Sequence, residues 1–288
     1  SGCAPGSKSS SSEPPVYSPL RVLVPEAPGS DTLGASPLTL DVSNITQGYF
    51  VAQSDSADLV TSLQITAPTG VLYTYFIAPG ENAVIPFTEG DGDYTVVGYQ
   101  QIQGDQYAAL YSEILTVELE NDFLPFLYPN QYVNFSPDSE ASKLALSMVS
   151  EDTADVDALK QIYNYVVNNL TYDYDKAETV ETGYLPDVDE TLSTKTGICF
   201  DYAALTTAML RSCDIPCKLQ IGYTGDIKHA WIDVYIRSKG WVTGAVSFNG
   251  DSWSLMDPTF DSSADSDDTE AIQDYIGNAD NYTVQFTR

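Results

Sequence analysis

From about Ser36 to Asn121 the apolar residues come in short runs. Leu38-Thr39-Leu40-Asp41-Val42, Leu63-Gln64-Ile65-Thr66, Val71 to Ile77, Tyr94 to Tyr99 and Leu115 to Leu119 are the clearest. Gly, Pro and Asp clusters separate them, among them Ala67-Pro68-Thr69-Gly70 and Glu89-Gly90-Asp91-Gly92-Asp93. Successive side chains of a strand point to opposite faces, so this punctuation predicts an antiparallel β-sandwich of immunoglobulin-like size. It has no internal cysteine pair, so the antibody-type signature is absent. Such a unit reads as a spacer or positioning module. A binding role for its Tyr-rich strands is the alternative, although tyrosine is also simply a good strand residue.

Past Pro125, Pro129 and Pro137 the period changes. A loose helical pattern runs from Ser139 to Met148. Val156, Leu159, Tyr163, Val166, Val167 and Leu170 then fit one helical face, with Thr153 or Asp155 as the candidate cap. Residues 176–195 read as a polar loop followed by a short helix. A further helix is expected from Cys199 to near Ser212, on the run Ala203, Ala204, Leu205, Ala208, Met209, Leu210. Strand-like stretches follow at Lys218 to Tyr223, Lys228 to Ile236 and Asn281 to Phe286, the last closing a sheet. The stretch from Arg237 to Ser252, which holds Trp241, reads as an extra hairpin. The expected organisation is a flexible tether (1–35), a β-sandwich (36–121), a linker (122–137) and an α+β domain (138–288). Two domains suit a chain of 288 residues.

Charge narrows the function classes. Acidic residues outnumber basic ones 41 to 12, a formal charge of −29. Such a surface repels phosphate backbones and anionic headgroups, so nucleic-acid binding is not expected. No apolar run is long enough to span a bilayer. The first fifteen residues, dense in Ser, Gly and Pro, cannot bury enough surface to order themselves. Ser1-Gly2-Cys3 resembles the end of a bacterial lipobox, which would make Cys3 a lipidation site and the only route to a membrane; Ser1 and Gly2 read equally as a cloning remnant.

Candidate chemistry centres on Thr196-Gly197-Ile198-Cys199-Phe200-Asp201-Tyr202-Ala203. Gly197 can make a turn that other residues resist, placing Cys199 in the first helical turn. Unpaired backbone N–H groups there favour negative charge and a depressed thiol pKa. A lone cysteine is more often a buried apolar filler. Two downstream features change that weighing. His229, the only histidine, stands in the strand-like Lys228-His229-Ala230-Trp231-Ile232-Asp233, where alternation groups His229, Trp231, Asp233 and Tyr235 on one face. Asp257 stands in Trp253-Ser254-Leu255-Met256-Asp257-Pro258-Thr259-Phe260. Nucleophile, base and base-orienter are the parts of a thiol acyl-transfer site.

Gly197, Cys199, Tyr202 and Ala203, then His229-Ala230-Trp231, then Trp253 with Asp257-Pro258-Thr259-Phe260 resemble the three core motifs of the transglutaminase-like superfamily, relatives of papain-type cysteine peptidases. The resemblance covers about residues 136–288. It implies an α+β, papain/transglutaminase-like catalytic domain after the β-sandwich, with a Cys199-His229-Asp257 triad. The implied reaction is cysteine-dependent acyl transfer on peptide or glutamine-type amides, with hydrolysis and crosslinking both open. The backbone N–H of Cys199 is the first oxyanion donor expected. Tyr172 and Tyr174 resemble a Tyr-rich element of the family; with Trp231 they are oxyanion or cleft candidates, core or rim packing being the competing role. No cofactor or metal is expected. The expected substrate is a peptide or protein, cell-wall peptide included, met at the cell surface or outside the cell by a lipid-anchored bacterial protein. The rival function is a non-catalytic surface binding or scaffolding module that keeps the fold.

Cys213 and Cys217 are left over, and a disulfide or two free thiols are both open. A zinc site is not expected, for want of further Cys or His ligands. Asp261 to Asp268 reads as a solvated loop; calcium is a minor alternative, because the run has no central Gly.

Overall fold

A computed structural model describes residues 13–249, 252–255 and 282–288. The N-terminal part is built from β1 (Thr32–Ala35), β2 (Leu38–Asp41), β3 (Tyr49–Ser54), β4 (Thr61–Thr66), β5 (Leu72–Ile77), β6 (Asn82–Pro86), β7 (Gly92–Gln103) and β8 (Gln106–Val117). They form two antiparallel sheets of four, ordered β1-β2-β3-β6 and β5-β4-β7-β8. Leu38, Leu40, Phe50 and Ile85 of the first share one apolar core with Leu63, Tyr75, Val96 and Leu115 of the second. On β5 the alternation is plain: Tyr73, Tyr75 and Ile77 point inward, while Leu72 and Phe76 are exposed. β3 shows no such alternation in sequence. Tyr49, Phe50, Val51 and Ala52 are all buried, so a two-sided apolar run replaces the period-two signal.

The connector is packed rather than loose. Leu124, Pro125 and Phe126 form a buried helical turn, and Arg211 donates to the Tyr128 carbonyl at 2.9 Å.

The C-terminal part begins with α1 (Glu140–Met148), α2 (Asp155–Asn169), β9 (Thr171–Tyr172), α3 (Tyr174–Thr179), α4 (Val188–Thr194) and β10 (Thr196–Gly197). It continues with α5 (Cys199–Ser212), β11 (Cys217–Thr224), β12 (Ile227–Ile236), β13 (Gly240–Asn249), β14 (Ser252–Leu255) and β15 (Tyr282–Thr287). The five-stranded sheet runs β14-β13-β12-β11-β15, and Ala230, Ile232, Val234 and Ile236 of β12 pack in one core with α5. Every residue of α5 from Asp201 to Ser212 is buried. A helix buried on all sides belongs in the middle of a fold, and its few polar side chains, Asp201 and Arg211 among them, are hydrogen-bonded within the protein.

Two local expectations change. Neither Thr153 nor Asp155 caps α2: Ala154 stands at the N-cap, Thr153 Oγ1 accepts from Ser150 N, and Asp155 pairs with Arg237 at 3.3 Å. The stretch after Arg237 is no appended hairpin either. β13 is a full interior strand that pairs with β12 on one side and β14 on the other.

The two parts meet along β5 and β15. Thr287 N donates to the Tyr73 hydroxyl at 3.0 Å, and Phe200 and Phe286 pack against both apolar cores.

Candidate active site

Cys199 is the first residue of α5, as the sequence indicates. The reason for Gly197 differs from the expectation. Its φ is not positive; it pairs with Tyr172 across β9 and β10. A Cβ there would come 2.7 Å from the Asp201 Cβ, so close approach, not a turn, demands glycine.

Asp201 is the anchor of this helix start. It is fully buried, and its Oδ2 accepts from Ile198 N at 3.0 Å, half of a capping box. The same oxygen meets Lys176 Nζ at 2.9 Å, and Tyr184 donates to Oδ1 at 2.5 Å. Burial and the Asp201 carboxylate push the Tyr184 phenol up to about 12, so it stays protonated and donating. The stretch from Lys176 to Tyr184 is thereby tied down beside Cys199.

A cavity of about 510 Å³ opens at this point. Cys199 and His229 both line it, with Tyr172, Ala230 and the stretch around Glu181. Its far wall comes from the N-terminal part through Thr74 and Phe76. The Cys199 sulfur lies against the backbone N–H groups of Ala230 and Phe200 and its own. Helix bonding begins only at Tyr202 N, which donates to the Ile198 carbonyl, so the amides of the first turn are free to face an anion.

The electrostatics run against the sequence expectation of a depressed thiol pKa. Burial pushes the Cys199 thiol up, and the Asp201 charge adds to this; the Ala230 and Phe200 amides only partly oppose it. Burial also lowers the His229 imidazole pKa. Among the described residues no hydrogen bond joins the Cys199 sulfur to the His229 ring. Both shifts favour the neutral forms, thiol and imidazole.

The remaining candidates separate. Tyr172 lines the cavity. Tyr174 does not: it opens α3, is exposed, and meets Tyr172 edge-on with ring centroids 4.9 Å apart. Trp231 pairs with Gln220 and is buried within the sheet, its ring reaching over Gly222, and it does not line the cavity. Asp257 and Cys3 lie outside the described residues, as does the acidic stretch 261–268. Cys213 and Cys217 are both free and buried; Cys217 faces Thr207 of α5 at 3.5 Å instead of its neighbour in sequence. Among the described residues no His, Cys, Asp or Glu group is arranged to hold a metal.

Sequence reasoning passed over Asp201, Lys176, Tyr184, Phe76 and Arg288. For Asp201 a signal existed: an acid three residues after the N-cap is a helix-start signature. The others come from distant segments and carry no local signal.

Residues 142–244 match the family model described as transglutaminase-like superfamily. The uncharacterized protein YebA of Bacillus subtilis (strain 168) is 24% identical over 183 residues, 56% of this chain and 25% of YebA. UPF0252 protein MJ1282 of Methanocaldococcus jannaschii is 40% identical over 62 residues, 20% of this chain and 18% of that protein. The chain therefore matches a quarter or less of the length of these curated relatives. Among solved structures, a proposed cysteine protease from Cytophaga hutchinsonii aligns at 19% identity and a TM-score of 0.35, over 74% of this chain and 75% of that one. The segment that matches the transglutaminase-like superfamily model is the one that carries Cys199 and His229.

Proposed function

We propose that this chain is a thiol-dependent acyl-transfer enzyme acting on peptide or glutamine-type amide bonds. The observation that carries the reading is the shared cavity: Cys199, at the free-amide end of α5, and His229, on β12, open into the same space. In this reading His229 accepts the thiol proton as Cys199 Sγ attacks the carbonyl carbon. The carbonyl oxygen becomes an oxyanion facing the backbone N–H groups at the start of α5. Collapse breaks the C–N bond, and the proton held by His229 goes to the leaving amine. Water or a second amine then attacks the thioester, giving hydrolysis or crosslinking and restoring the thiol. Asp257 is assigned to the second imidazole N–H. Tyr172 is assigned to the cleft rim, and the N-terminal sheets, read as an immunoglobulin-like module, supply the opposite wall.

A cell-surface role belongs to the same reading. Cys3, at the end of Ser1-Gly2-Cys3, is assigned a lipid, and cell-wall peptide is a fitting substrate. Among the described residues no helix is long and apolar enough to cross a membrane. Metabolic labelling with an alkyne fatty acid tests the anchor; label that persists in Cys3→Ala rejects Cys3 as its site.

The rival reading is a binding module that retains the fold. One observation favours it: the thiol is raised and not hydrogen-bonded to His229. The deciding experiment offers the protein a glutamine-containing peptide and a labelled primary amine. Amine incorporation supports transfer; ammonia or new termini without it support hydrolysis. No turnover beyond that of Cys199→Ala in either assay leaves the binding module.

A further inference from the structure

We propose that Arg288 makes this cleft selective for substrates carrying a carboxylate close to the scissile acyl group. The inference deepens the acyl-transfer reading and rests on it for the role of the cavity.

Arg288 lines the same cavity as Cys199 and His229. The residue is only 3% exposed, and its guanidinium carbon sits 3.9 Å from the Tyr132 ring centroid and 4.8 Å from that of Tyr75. Tyr73 and Phe286 complete an aromatic surround at 5.1 and 5.2 Å. Among the described residues, Nε and Nη1 have no hydrogen-bond acceptor and no carboxylate pairs with the group. A guanidinium does not shed its proton to escape burial, so an unpaired one in an apolar wall is costly. The aromatic faces offset part of that cost, and the Tyr75 hydroxyl meets the guanidinium, but Nε and Nη1 are left without an acceptor among the described residues.

Arg211 is the internal comparison. It is equally buried, yet Nε, Nη1 and Nη2 all donate, to the carbonyls of Cys217, Tyr128 and Arg288. Arg211 is consumed by the fold, whereas Arg288 has donors left over beside a cavity.

The charge pattern points the same way. The chain has 12 basic residues against 41 acidic ones, yet Lys228 and Arg288 line this cavity and Glu181 is the one acid among its described lining. The described lining thus carries the opposite sign to the chain as a whole. A carboxylate fits a planar guanidinium with two parallel hydrogen bonds, and in a dry aromatic setting such a pair is strong. The carboxylate could be an Asp or Glu side chain of the substrate or a free α-carboxylate; the test separates them.

The experiment measures binding by full-length Cys199→Ala protein, so it does not depend on turnover. Four labelled peptides share one glutamine: one has a neighbouring Glu, one a neighbouring Gln, and two short ones end in a carboxylate or a carboxamide. Binding of either acidic peptide about tenfold or more tightly than its neutral partner is expected. The pair that shows the difference identifies the carboxylate source. Adding Arg288→Met abolishes the difference, and Arg288→Lys keeps part of it. Equal affinity within both pairs, or no binding by any peptide, overturns the proposal without recourse to a variant. So does a preference that survives Arg288→Met in protein with unchanged circular dichroism. Failure of the acyl-transfer reading shows up separately, as absent turnover in wild type.

Discussion

Two influences compete at Cys199. Its place at the head of α5 gives it free amides, and its depth in the cleft takes water away. Burial wins, and the thiol is raised. With His229 lowered by the same cause, proton transfer and attack must be coupled, not separated by a standing ion pair. Wild-type alkylation by iodoacetamide is therefore expected to keep rising beyond pH 9, with little change in His229→Ala, while turnover falls roughly 10²–10⁴-fold. An alkylation plateau below pH 7 that disappears in His229→Ala would mean a preformed thiolate–imidazolium pair. A second titrating residue lies away from the cleft. Burial raises Asp214 to about 7, it stands at φ 59°, and its Oδ2 has no partner among the described residues. An acid whose folded pKa exceeds its unfolded value holds more protons when native, so stability falls as pH rises from about 4 to about 7. Asp214→Asn tolerates the left-handed backbone and removes the charge. It is expected to gain a few kcal/mol over wild type at pH 8 and nothing at pH 3.5 in urea titrations; an equal gain at both pH values would exclude charge as the cause.

The elements are held by side chains that bridge distant segments. At the start of α5, Asp201 ties the Ile198 amide, Lys176 and Tyr184 together. Asp201→Asn is expected to lose about 1–3 kcal/mol, less than the ~3–5 kcal/mol of a fully buried pair because Lys176 can still reach water. It should also speed Cys199 alkylation by loosening the stretch from Lys176 to Tyr184. A change below about 0.5 kcal/mol, inside the range of ordinary surface substitutions, would remove Asp201 as an anchor. At the far edge of the sheet, Gly222 shows why β11 and β15 need a glycine: a Cβ would fall 1.9 Å from the Thr283 carbonyl oxygen.

On the scale of the whole molecule the cleft belongs to both parts of the chain. Thr74 and Phe76 line it together with Cys199, and the Tyr73 hydroxyl accepts from Thr287 N while donating to Glu89 at 2.6 Å. Tyr73→Phe leaves the buried Thr287 N–H without that acceptor, a loss of about 1–3 kcal/mol. Hydrogen exchange at Thr287 should accelerate in the variant, together with weakened substrate binding, since Arg288 follows directly. Unchanged exchange at Thr287 would show that the two parts are not coupled through Tyr73.

How much of this was legible in the sequence depends on where the signal lies. α5 could be placed from Cys199 and the apolar run behind it, and the mixed helix-and-strand character followed from two distinct periods. β3 was hidden because burial on both faces erases alternation, and β13 because a long interior strand resembles a hairpin when only its Trp is read. The residue types needed for thiol chemistry were likewise legible, since nucleophile, base and acid are local facts about the chain. Tertiary structure alone decided which neighbours each side chain meets: that burial outweighs the helix amides at Cys199, that Trp231 stays out of the cavity, and that Arg288 comes to line the cavity of Cys199 among rings from β5, the connector and β15. Those outcomes depend on water excluded by segments far away in sequence, and no local pattern encodes how much water a distant segment will exclude.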